Sequence, residues 1–111
     1  MARRNKTIWR VAVDQAGIPA DTEVKAAAAG QYHCVIAFFG SLDFDGTIQF
    51  NSDGAAGTDL SGAVDAAAKV PFSFRADPDY PLFVTDQGES LDILTTGGAF
   101  AGVVVGYTEG A

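Results

Sequence analysis

The chain has 111 residues, 48% apolar and 19% charged, a globular composition that fits one domain and excludes a disordered polymer. Four of its seven basic residues (Arg3, Arg4, Lys6, Arg10) fall in the first ten positions, and the rest sets fourteen acidic against three basic groups, or −11. So acidic a body repels a phosphate backbone, which argues against nucleic acid as a partner. A single cysteine, Cys34, rules out an intrachain disulfide, and a single histidine, His33, rules out a multi-histidine zinc site within one chain.

The first residues, MARRNK, form a basic arm over 1–6. The following IWRVAVDQ carries Arg10 and Asp14 within it, so it reads neither as a signal peptide nor as a membrane span, which needs ~20 apolar residues. From there to 111 the pattern is that of a single β domain. Thr7 to Asp14 alternates, with Trp9, Val11 and Val13 on one face and Ile8, Arg10 and Ala12 on the other. Asp21 to Gly30 (DTEVKAAAAG) carries the grammar of a short helix: a capping residue, four alanines and a closing glycine. Tertiary context could instead draw Val24 to Ala28 into extended form.

Tyr32 to Phe39 reads as a strand rich in β-branched and aromatic residues. Phe44, Ile48 and Phe50 then share a buried face opposite Asp43, Asp45, Thr47 and Gln49, and Asn51 to Gly54 turns. Short strands are expected near Leu60 to Val64, at Val70 to Phe74 (an edge, given Pro71), at Pro81 to Thr85 and at Leu91 to Thr96. Gly97-Gly98 marks a tight turn before the closing strand, Phe100 to Thr108. About eight short strands at ~10-residue intervals predict an all-β antiparallel sandwich or jelly roll.

No reaction chemistry is legible. His33 and Cys34 are adjacent in a strand and point to opposite faces, so they cannot act as base and nucleophile. Counting twelve positions from Asp43 reaches Gly54, not the glutamate of a calcium loop, and turn chemistry accounts for both acidic loops. No lysine or helix start follows Gly97-Gly98, so it is no phosphate cradle. The expectation is a non-enzyme without catalytic residues, metal or cofactor.

Contact with other proteins is the remaining function. Aromatic residues and arginine anchor such contacts. Trp9 and Arg10 beside the arm, and Tyr80 and Phe83 around Pro81, are the candidates, together with Arg3, Arg4 and Lys6 of the arm itself. The arm is expected to be loose in the isolated chain and ordered on a partner. The closing strand, with Val104 among three valines flanked by glycines, is expected to leave an apolar face for self-association.

Several pieces in sequence carry a resemblance over roughly Val24 to Thr108. They are the alanine-rich Val24 to Gly30, Ile48-Gln-Phe50, Thr58-Asp-Leu-Ser-Gly62, Tyr80-Pro-Leu-Phe83, Gly88 to Ile93, and the closing Gly102-Val-Val-Val-Gly-Tyr107. In this order the chain resembles a family of small jelly-roll or β-sandwich virion proteins of tailed phages. The resemblance implies a capsid decoration or cement protein that binds the major capsid lattice and assembles as a homotrimer. It also implies manufacture in the host bacterial cytoplasm and residence in the virion. A head-fibre or tail-associated module that binds a receptor or glycan is the alternative.

Overall fold

The computed structural model describes residues 7–15, 20–54 and 57–110. Among these it has ten strands and no helix: β1 (Ile8–Asp14), β2 (Ala20–Lys25), β3 (Gln31–Leu42), β4 (Gly46–Ser52), β5 (Thr58–Asp59), β6 (Val64–Ala66), β7 (Phe72–Arg75), β8 (Phe83–Val84), β9 (Leu91–Thr96) and β10 (Phe100–Gly110). They form two five-stranded antiparallel sheets. Sheet I runs β1-β10-β3-β7 with β8 also on β3, and sheet II runs β2-β9-β4-β5 with β6 also on β4. The chain is therefore an antiparallel β-sandwich, as the alternation requires.

The core between the sheets follows from that alternation. Val13 of β1, Val35, Phe38 and Leu42 of β3, Ile48 and Phe50 of β4, Leu91 and Ile93 of β9, and Phe100 and Val104 of β10 are buried together. A second, smaller cluster lies on the outer side of sheet I, where Cys34, Ile36 and Tyr107 are buried. One register shift between Val105 and Gly106 explains how long β3 serves both clusters. The extra residue re-aims β3, so that Val35 and Phe38, three apart, both face inward.

Four expectations need correction. The helix expected over Asp21 to Gly30 is absent: Ala20–Lys25 is β2, paired with β9, and the turn closes with Gln31 N–H on the Ala28 carbonyl. Val24 is buried at 6% exposure. Strand pairing and core burial outweigh an alanine-rich propensity worth only a few tenths of a kcal/mol per residue. Ten short strands replace the expected eight. Phe44, expected in the core, is 62% exposed at the tip between β3 and β4, because β4 starts two residues later at Gly46. Val104 is fully buried and faces the core rather than a partner.

Candidate protein-binding site

The sandwich is closed along one side and open along the other. At the end of β1, Gln15, 7% exposed, clasps the sheets together. Its Oε1 accepts from the Thr95 hydroxyl (2.7 Å) and the Phe100 backbone N–H (2.9 Å), while its Nε2 donates to the Thr22 hydroxyl (3.1 Å). Along the opposite side the margins are short: β6 has three residues and β7 four. The segment between them crosses from sheet II to sheet I. It is pinned by Lys69 N–H on the Leu42 carbonyl (2.7 Å) and Ala68 N–H on Asp45 Oδ1 (2.7 Å). Pro71, with no N–H, cannot extend the ladder there.

Between these margins lies a cavity of about 330 Å³ that opens to solvent. Its floor is Phe38 and Phe50, with ring centroids 4.8 Å apart. Phe83 stacks on Phe50 at 5.0 Å, and Phe74 lies 5.1 Å from Phe38. These rings belong to the core, yet Phe74 is 49% exposed at the rim, beside Val64 (49%) and Val70 (54%). Neighbouring aromatics at 4.5–7 Å attract one another beyond their burial, so the floor is stiff. Of the polar side chains on the wall, the Ser61 hydroxyl accepts from Phe50 N–H (3.1 Å) and donates to the Gly62 carbonyl (3.0 Å). What the groove offers is carbon surface. Its chemistry is the binding of apolar side chains.

The sequence-level candidates separate. Phe83 forms a wall of the groove. Tyr80 is 80% exposed on the loop between β7 and β8, with its N–H on the Asp77 carbonyl (2.8 Å). Arg10 is exposed on the outer face of sheet I. Trp9 is half-buried: its ring covers Gly106, its Nε1–H donates to the Thr108 hydroxyl (3.1 Å), and the Lys25 ammonium sits 5.3 Å above it. Arg3, Arg4 and Lys6 lie outside the described residues. Sequence reasoning missed the rim residues Val64, Val70 and Phe74; the signal that could have found them is the Phe72-Ser-Phe74 alternation directly after Pro71.

The titratable groups serve the fold. His33 is buried, its Nε2–H donating to the Ala26 carbonyl (2.8 Å) and its Nδ1 accepting from the Thr108 hydroxyl (2.8 Å). Burial pushes its pKa below the ordinary value, with a lesser push from Lys25, although the Ala26 bond opposes. Cys34 lies on the other face, packed with Ile36 and Tyr107, whose hydroxyl donates to the Pro78 carbonyl (2.7 Å). On sheet II, burial and the nearby Asp21 and Glu23 raise the Asp92 pKa, while the Ser90 hydroxyl works against the shift. The acidic loops are turns: Asp43 Oδ1 accepts from Ala99 N–H (2.6 Å) and Asn51 Nδ2 donates to the Gly54 carbonyl (3.1 Å). Among the described residues no three His, Cys, Asp or Glu groups are placed to hold a metal ion.

No family model and no curated protein matches the chain. Solved structures do. A chain from the structure described as "Bacillus endospore appendages form a novel family of disulfide-linked pili" is 21% identical, with 97% of this chain and 91% of that one covered and a TM-score of 0.49. A chain of infectious bursal disease virus, Gx strain, is 11% identical over 93% of this chain and 30% of its own, with a TM-score of 0.40. The C-terminal domain of EclA, a sugar-binding protein, is 11% identical over 98% and 80%, with a TM-score of 0.36. Likenesses this distant say nothing of what this chain binds.

Proposed function

We propose that the chain is a structural protein of a tailed-phage virion, a capsid decoration or cement protein that grips the major capsid lattice and assembles as a homotrimer. The observation that carries this reading is the open groove between β6 and β7, whose apolar rim is exposed where a self-sufficient sandwich would close it. Concave pockets that accept a large side chain are where binding energy concentrates at protein contacts. The occupant is an apolar segment of the capsid protein. The alternative, a glycan-binding module, is less well supported, because sugar hydroxyls need ordered polar partners and this groove offers few.

Gold-labelled antibody against the chain, applied to intact particles of the phage that encodes it, tests the reading. Label distributed over the head is expected. Label confined to tail fibres, or absent from particles, would overturn the decoration role.

A further inference from the structure

The two outer faces of the sandwich are unlike, and they match each other. Because cross-strand partners share a face, the ladder registers give the composition of each. On the outside of sheet I, Arg10, Val105, Ala37 and Arg75 form one transverse row over β1, β10, β3 and β7. The next row is Ala12, Val103, Phe39 and Ser73, with Phe39 47% exposed. On the outside of sheet II, Glu23, Asp92, Asn51 and Asp59 form a row over β2, β9, β4 and β5. The row beside it is Asp21, Leu94 and Gln49.

Each charged row spans four strands, so its end residues are roughly 14 Å apart at ~4.8 Å per strand. One row carries an arginine at each end and the other a carboxylate at each end, all four exposed. Between the ends, sheet I offers small apolar groups, and sheet II offers Asp92 and Asn51, which lie nearly flush at 7% and 1% exposure. The neighbouring rows set Val103 and Phe39 against Leu94. Asp14 and Glu109 are the carboxylates on sheet I, and neither belongs to these two rows.

The heights agree as well. Trp9 lies under Lys25 and Gln15 bonds Thr22, so β1 and β2 run side by side in opposite sheets. The Arg10 row and the Glu23 row therefore occupy similar levels on opposite sides of one molecule. Superposing copies face on face brings them together.

We propose that the outer face of sheet I of one copy docks on the outer face of sheet II of a second copy, with Arg10 and Arg75 against Glu23 and Asp59. The contact is head-to-tail, and a heterologous contact closes into a ring when its rotation divides a full turn. It rests on the self-associating virion protein proposed above and names the surfaces that form it.

Charge reversal with sedimentation velocity tests the contact. Arg10→Glu with Arg75→Glu gives one variant, Glu23→Lys with Asp59→Lys a second, and all four together a third whose formal net charge stays at −7. All four positions are exposed, and circular dichroism checks that each variant folds. At micromolar concentration and low salt, the wild type is expected to sediment as an oligomer that dissociates as salt rises. Each face-reversed variant is expected as a monomer and the fourfold variant as an oligomer again. A monomeric wild type overturns the contact. So do face-reversed variants that associate like the wild type, and so does a fourfold variant that stays monomeric. Should the wild type be missing from phage particles, the virion reading falls while this contact stands; should the face-reversed variants associate normally, the reverse holds.

Discussion

Gln15 sits at the end of an edge strand and nothing in the sequence sets it apart, yet it is the side chain that joins the sheets at the closed side. Gln15→Ala would strand the Thr95 hydroxyl and the Phe100 N–H without a partner, at a cost of about 2–4 kcal/mol. Urea unfolding measures it, and a loss below ~0.5 kcal/mol would show that water replaces the clasp. Gly106 is constrained differently. A methyl group there would press on the Cys34 carbonyl oxygen and on the Trp9 ring, so Gly106→Ala is expected to cost about 1–3 kcal/mol.

Two residues make stability depend on pH in separate windows. The His33 pKa is lowered in the folded chain, so the unfolded chain binds the proton more readily. Stability is then full above the ordinary value of 6.5 and declines as pH falls through the lowered one. A lower melting temperature at pH 5.5 than at pH 7.5 is expected, with His33→Gln flattening the difference. Asp92 runs the other way. Its raised pKa means the folded chain holds the proton more tightly, so its contribution is present below 3.8 and lost as pH rises through the raised value. Asp92→Asn should raise the melting temperature at pH 7 and leave it unchanged at pH 3; equal effects at both would remove the electrostatic explanation.

At the scale of elements, the strands with unbroken alternation are the legible ones. Ile8–Asp14, Leu91–Thr96 and Phe100–Gly110 lie within a residue or two of their sequence-based bounds. Position two residues apart decides burial there, and sequence records it directly. The β2 region was misleading because its alanines speak for local propensity, whereas its fate is set by β9, about 70 residues further on. Likewise the inward pair Val35 and Phe38 depends on a bulge against β10 that no local pattern marks. The groove was illegible for a related reason. It exists because β6 and β7 are short and fail to meet, a property of two edges rather than of any motif.

For the whole molecule, two surfaces divide the work. The groove at the open side is directed at the capsid, and the unlike sheet faces at other copies of the chain. Val70 is the cleanest handle on the first, being 54% exposed at the rim. Val70→Asp leaves the core rings in place and should shift the melting temperature by less than the ~4–8 °C that corresponds to 1 kcal/mol in a domain of this size. The most direct measurement is re-occupancy of phage heads that lack the chain, quantified by adding purified wild type or Val70→Asp and counting bound copies per particle. The groove reading predicts that the wild type fills the heads and that the folded variant binds at least tenfold more weakly. Re-occupancy by Val70→Asp at the wild-type level would contradict it.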